Sequence, residues 1–208
     1  MTFIADRLKR IQPSMTVGIN VKANALRAQG KDVLVLAAGE PDFDTPHNIR
    51  KAASDAMDAG KTRYVPGKGT PELQKAIQSK FLKDNNINYD LDEIIVGVGG
   101  KHIIYNAMMA TINPNDEVII PAPFWVSYPD IVLLAEGKPV IVQCPENQSF
   151  KITSEQLEKN ITDKTKWLML NSPSNPTGSL YSKKELKELA EVLLKYPQVL
   201  IMSDDIYE

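Results

Sequence analysis

The chain has 208 residues, 43% hydrophobic and 24% charged, with a formal net charge of -2. That is enough chain to bury a sizeable core in one domain or a little more. The small net charge, with lysines scattered beside glutamates and no basic stripe, excludes a strongly charged partner surface, so nucleic acid is not expected as a partner.

In chain order, Met1 to Arg7 lacks the apolar core of a signal peptide, and no apolar run approaches the roughly 20 residues of a membrane span. Cys144 is the one cysteine, which excludes an internal disulfide and points to a buried thiol. A cytoplasmic protein is expected. Pro13-Ser14 precedes a helical pattern from about Val17 to Ala28 that Gly30 ends, and Val33-Leu34-Val35-Leu36 reads as a short strand. Pro46 opens a helix to about Ala59, and Thr70-Pro71-Glu72 caps another that runs to Lys83.

From Asp92 onward, β-branched runs alternate with helical spacing. The runs are Ile94-Ile95-Val96, Val118-Ile119-Ile120, Val140-Ile141-Val142, Trp167 to Leu170 and Val199 to Met202, and they read as strands buried on both faces. Helices are expected over Lys101 to Thr111, Trp125 to Leu134, Ser154 to Asn160 and Ser182 to Lys195. The last carries an apolar stripe through Leu186, Leu189, Ala190, Leu193 and Leu194 behind a Ser182/Glu185 capping box. The alternation predicts an α/β fold: three αβα layers around a mostly parallel sheet. A boundary near Asp44 to Pro46 divides an N-terminal arm and small-domain segment (1–45) from a partial large domain (46–208).

In open α/β sheets ligands sit beyond the carboxyl ends of the strands, so residues just after each predicted strand take priority. Gly97-Val98-Gly99-Gly100-Lys101 leads from a strand into a helix and offers backbone N–H groups to an anion such as phosphate. The plainer reading is a glycine-rich turn needing positive φ, and the glycine spacing does not fit a dinucleotide fingerprint. Gly67-Lys68-Gly69-Thr70 only superficially suggests a nucleotide loop, since Lys and Thr are not adjacent and no strand leads into it. After the second strand, Trp125 is either a stacking surface for a flat ring or a packed core tryptophan. The loop Asn171 to Gly178 offers Asn amides to a ligand, or is simply a turn. Asp204, at the end of a buried strand, needs a partner for its charge or serves as a helix cap. Two glycines, a tryptophan, an asparagine and an aspartate after successive strands of one sheet make a shared site the better reading.

Seven ordered stretches carry a resemblance: Arg10 to Ser14, Gly39 to Pro46, Tyr64 to Gly69, Gly99 to Lys101, Pro123 to Tyr128, Asn175-Pro176-Thr177-Gly178, and Ser203 to Glu208. Over essentially its whole length the chain resembles the N-terminal half of class I (fold-type I) aminotransferases that use pyridoxal 5'-phosphate, and among them bacterial aspartate aminotransferases. The resemblance implies that the N–H groups around Gly99, Gly100 and Lys101 hold the cofactor phosphate, that Trp125 stacks on the pyridine ring and that Asp204 pairs with its protonated nitrogen. It implies that Asn175 and Tyr207 meet the ring hydroxyl oxygen, that Gly39, Trp125 and Asn175 face the substrate, and that Tyr64 reaches the phosphate of a neighbouring subunit in a homodimer. No metal is implied.

By the same resemblance, the substrates are an amino acid and a 2-oxo acid, with an amino group moving between L-aspartate and 2-oxoglutarate. The family's Schiff-base lysine and carboxylate-binding arginine fall after Glu208, so the chain as given is expected to be a truncated form, inactive alone, with an incomplete sheet whose open edge favours pairing or aggregation. Relatives that also accept prephenate often carry lysine where this chain has Gln12, which counts against that second activity. The alternatives are a non-catalytic remnant or half of a split enzyme, and a related enzyme such as an aromatic or prephenate aminotransferase or a β-lyase.

Overall fold

The computed structural model describes residues 3–36, 39 and 41–208. Met1, Thr2 and Glu40, the last of them part of the Gly39 to Pro46 stretch, lie outside the described residues. The chain forms two compact units, one of residues 1–12 with 98–208 and the other of residues 13–97.

The larger unit is built on four strands, β1 (Glu117–Ala122), β2 (Lys138–Gln143), β3 (Thr165–Asn171) and β4 (Leu200–Asp204). They lie in the order β2-β1-β3-β4, and every pairing is parallel. Side chains alternate across a strand, and β1 shows the result. Ile119 joins Leu168, Leu157, Leu189 and Val192 on one face, while Val118 and Ile120 join Ile104, Met108, Ile131 and Met169 on the other. The first face is covered by α6 (Ser154–Asn160) and α7 (Lys183–Leu193), the second by α4 (Gly100–Thr111) and α5 (Ser127–Leu134). This is the expected three-layer α/β arrangement. Each fully buried branched side chain contributes roughly 1.5–3 kcal/mol, and Val118, Ile119, Ile120 and Leu168 are all buried in β1 and β3.

Burial on both faces holds for the central strands and not for the outer ones. β2 and β4 each have one strand neighbour, and Leu200 and Ile201 of β4 are 40% and 50% exposed. The N-terminal segment is fastened to α5 through Arg10, whose guanidinium donates to the Leu133 carbonyl at 3.5 Å and to the Glu136 carboxylate at 3.0 Å.

The smaller unit contains α1 (Met15–Ala28), α2 (His47–Asp58) and α3 (Pro71–Lys80). Ser14 and Thr70 cap α1 and α3 through their hydroxyls, which accept from Val17 N–H and Leu73 N–H. The helix expected to run on to Lys83 instead widens into a π-turn over Phe81–Asn85. Two expected strands do not form. Ile94 is extended (φ -110°, ψ 124°), but Val96 N–H is spent on the Lys68 carbonyl at 3.0 Å, and residues 94–96 have no ladder partner among the described residues. Residues 33–36 are likewise unpaired, with Leu34 and Leu36 almost fully exposed and the Val33 carbonyl held by the Arg27 guanidinium. β-branched composition favours a pleated strand only where a neighbour supplies the hydrogen bonds.

The Ser182/Glu185 capping box forms as expected: the Ser182 hydroxyl accepts from Glu185 N–H, and the Glu185 carboxylate accepts from Ser182 N–H at 2.7 Å. Lys151 also donates to that carboxylate, and this bond, followed by those from Ser182, lowers the Glu185 carboxyl from its ordinary 4.5 to about 2. A depressed folded-state value adds stability that is present above about pH 4.5 and is lost as the pH falls toward 2. Thermal unfolding is therefore expected to show wild type above Glu185→Gln at neutral pH, with the gap closing between pH 4.5 and 2. Ser182→Ala, which removes the cap, is expected to cost about 1 kcal/mol in denaturant unfolding.

Candidate functional site

Parallel strands end on the same side, and beyond the ends of β1, β3 and β4 lies a cavity of about 530 Å³. That size suits a small molecule. One wall is the start of α4, where Gly99 takes φ +87° and a Cβ added at Gly99 or Gly100 would meet nothing within 4 Å. Positive φ is what the plain turn reading required, and the same turn leaves the first backbone N–H groups of α4 open to an anion. Lys101 brings the one ammonium group among the described lining residues.

Trp125, in the turn after β1, lines the cavity with its ring half-buried against the α4/α5 core. The Lys101 ammonium sits 4.9 Å from the Trp125 ring centroid, a cation–π distance. Trp125 therefore packs against the core, and its side chain also lines the cavity.

Asp204 closes β4 and lines the same cavity. Tyr128, 4% exposed, donates its hydroxyl to Asp204 Oδ2 at 2.7 Å, and Ile206 N–H approaches Oδ1 at 3.4 Å. The charge is thus partnered, as its position demanded. Burial, then the hydrogen bond to Asp204 and that residue's charge, push the Tyr128 phenol far above its ordinary value of 10.0. Tyr128 therefore remains a neutral donor across any working pH. Its ring also meets Trp125 edge-on, with centroids 5.4 Å apart. In the loop after β3, Asn175 Nδ2 donates to the Tyr207 hydroxyl at 3.2 Å, which joins two residues expected to share one ligand atom.

The fold therefore gathers Gly99, Gly100, Lys101, Trp125, Asn175, Asp204 and Tyr207 around one cavity. Gly39 and Tyr64 belong to the smaller unit, where Tyr64 is fully exposed. The Gly67 to Thr70 loop is structural: Lys68 donates to the Asp92 carbonyl at 3.1 Å, and a Cβ at Gly69, whose φ is +105°, would stand 2.7 Å from Val96 Cγ2. Cys144 is buried, and that burial raises its thiol above the ordinary value. Sequence reasoning did not single out Tyr128 and reached Asn171 only as the first residue of a loop offering Asn amides, although both line the cavity. Tyr128 follows Trp125 by three residues, the spacing that turns two side chains toward one another at a helix start.

A helix N-terminus, an aromatic side chain, a paired amide and phenol and a hydrogen-bonded carboxylate line one cavity of an α/β protein, a candidate site for an anionic, ring-bearing small molecule. The family model described as "Aminotransferase class I and II" matches residues 31–208. The chain belongs to that family, whose members generally depend on pyridoxal phosphate.

The aspartate/prephenate aminotransferase of Cereibacter sphaeroides is 56% identical across all of this chain and 52% of its own length. The probable aspartate/prephenate aminotransferase of Rickettsia bellii is 57% identical over the same shares. Among solved structures, the aspartate aminotransferase of Rhizobium meliloti superposes with a TM-score of 0.95 at 49% identity, over 99% of this chain and 51% of that one. That of Thermus thermophilus with maleate gives 0.94 at 42%, over 99% and 54%. The chain thus spans about half the length of the relatives it matches.

Tyr128→Phe removes the donor to a half-buried carboxylate and is expected to lower unfolding stability by roughly 1–2 kcal/mol. In a spectrophotometric tyrosine titration of the folded protein, wild type is expected to keep two phenols unionised at pH 11, the buried Tyr128 and Tyr181, and Tyr128→Phe only one. Unchanged stability together with a full tyrosine count would contradict the Tyr128 to Asp204 bond.

Proposed function

We propose that the chain carries the cofactor floor of an aspartate aminotransferase that moves an amino group between L-aspartate and 2-oxoglutarate with pyridoxal 5'-phosphate. The observation that carries this reading is Asp204, a hydrogen-bonded carboxylate at a strand end, facing the same cavity as the glycine turn of α4. The donor set suits the group. Gly99, Gly100 and Lys101 would hold the phosphate, Trp125 would stack on the ring, and Asn175 with Tyr207 would meet the ring hydroxyl oxygen. When bound, the cofactor supplies an electron sink for the charge left at the substrate Cα. Asp204, accepting from the ring N–H, would keep that nitrogen protonated and the sink strong.

Asn175, Trp125 and Gly39 would bound the substrate. Exposed Tyr64 supports a homodimer in which it reaches the neighbouring subunit's phosphate. Residues 1–45 would form the arm and part of a small domain, and 46–208 a partial large domain, of a protein as long as the relatives. Among the described residues no helix is long and apolar enough to cross a membrane. We place the protein in the cytoplasm because its only cysteine fits a reducing compartment. A second reading adds prephenate as amino acceptor. The names of the Cereibacter and Rickettsia relatives favour it, while Gln12 does not.

Absorbance titration of the 208-residue chain with pyridoxal phosphate is expected to saturate near one equivalent, and Asp204→Ala to weaken binding about tenfold or more, the scale of a lost charge-assisted hydrogen bond. The Lys101 ammonium lies over Trp125 and is the one lysine among the described cavity residues. Borohydride reduction is accordingly expected to leave no stoichiometric lysine adduct. Binding indifferent to Asp204→Ala would sink the cofactor assignment, and a single modified lysine with aspartate turnover would overturn the non-covalent prediction.

A further inference from the structure

Asn171 is the last residue of β3 and stands opposite Asp204 in the parallel register of β3 and β4. Its half-buried side chain makes two short bonds to main chain on two different segments. Nδ2 donates to the Asp204 carbonyl at 2.7 Å, and Oδ1 accepts from Asn175 N–H at 2.6 Å. The two partners fix the orientation of the amide, since one is an acceptor only and the other a donor only. Among side chains of this length, only an amide offers a donor and an acceptor on one rigid plane. Aspartate keeps the acceptor alone, and leucine keeps neither.

The segments it joins are those that carry the ring side of the cavity. One bears the Asp204 carboxylate, and the other bears Asn175, whose own amide donates to Tyr207. The anion side, from Gly99 to Lys101, rides on α4 and has no bond to Asn171 among the described hydrogen bonds. The loop after β3 is also closed independently, by Gly178 N–H to the Ser174 carbonyl at 2.7 Å and Ser174 N–H to the Ser179 carbonyl at 3.0 Å. Loss of the Asn171 amide therefore leaves a folded loop held toward Asp204 only by the β3–β4 ladder and the exposed Asn175–Tyr207 bond, a looser tie.

We infer that Asn171 is a positioning residue: it sets the spacing between Asn175 and Asp204, and so the fit of the ring end of the cofactor, while leaving the phosphate end untouched. This rests on the pyridoxal phosphate reading of the cavity. Its signature is a split between two ligands of one site. A hydrogen-bonding clamp on the ring side alters affinity for pyridoxal phosphate, whereas inorganic phosphate reads the α4 turn by itself.

The test uses Asn171→Ala and the conservative Asn171→Asp. Amide hydrogen exchange followed by NMR is expected to show Asn175 N–H exchanging about tenfold faster in Asn171→Ala and near the wild-type rate in Asn171→Asp, which keeps the acceptor. Pyridoxal phosphate is expected to bind both variants about tenfold more weakly than wild type, with inorganic phosphate unchanged in both. Equal weakening of the two ligands, or Asn175 exchange that ignores Asn171→Ala, overturns the clamp. Wild-type binding with unaltered affinity in both variants overturns it as well. Absence of saturable pyridoxal phosphate binding in wild type itself overturns the cofactor reading on which the proposal rests.

Discussion

Parallel strand pairing is the constraint on which the rest of this molecule depends. Each strand of the β2-β1-β3-β4 sheet runs the same way, so each crossover must return through a helix, and alternate side chains of β1 must find apolar cover on both faces. That requirement accounts for the two separate cores, one under α4 and α5 and one under α6 and α7. It also leaves the carboxyl ends of all four strands at one edge of the sheet. The polar residues of the site stand at that edge because only there does the chain emerge from the sheet with freedom to place a carboxylate, an amide and an aromatic ring around a common space.

Asp204 shows what the edge makes possible. One residue earlier its side chain would point to the other face of the sheet; at the end of the strand it is satisfied from two directions, by Tyr128 on one oxygen and by Ile206 N–H on the other. A tyrosine is well suited to the first of these. Its hydroxyl stabilises the carboxylate without cancelling its charge, and burial keeps the phenol protonated. A lysine or arginine in that place would neutralise the carboxylate and leave less field for a ring cation. The carboxylate is hydrogen-bonded, with no ion pair among the described salt bridges, and under the proposed reading that suits a cationic ring nitrogen.

Much of this was legible in the sequence, because the determinants were local or periodic. Residues 118–120, 140–142, 167–170 and 199–202 all lie on or overlap strands, and the Ser182/Glu185 pair caps α7 as its spacing indicates. Failure came where an outcome depended on a partner. Ile94 to Val96 and Val33 to Leu36 have strand composition but no neighbour among the described residues, and composition cannot report a neighbour. Tyr128 and Asn171 were hidden for a related reason. Tyr128 contacts Asp204 across 76 positions and Asn171 contacts it across 33, and neither separation leaves a periodic trace. A tyrosine or asparagine read alone is a surface or turn residue until the register of β3 on β4 is known.

The two glycine-rich segments make the same point about context. Gly67 to Thr70 and Gly97 to Lys101 each combine glycines with a lysine, and either could be taken for a phosphate loop. In the first, a Cβ at Gly69 would collide with Val96 and the Lys68 ammonium is occupied by a main-chain carbonyl, so glycine is there for packing and lysine for a tie. In the second, the space around Gly99 and Gly100 is open and a helix begins immediately. Unfilled space above the glycines, together with N–H groups that have no intrahelical acceptor, makes the second segment the candidate anion cradle and the first a tight turn. Both segments combine glycines with a lysine, and the difference lies in what the neighbouring element does with the room that the missing side chain leaves.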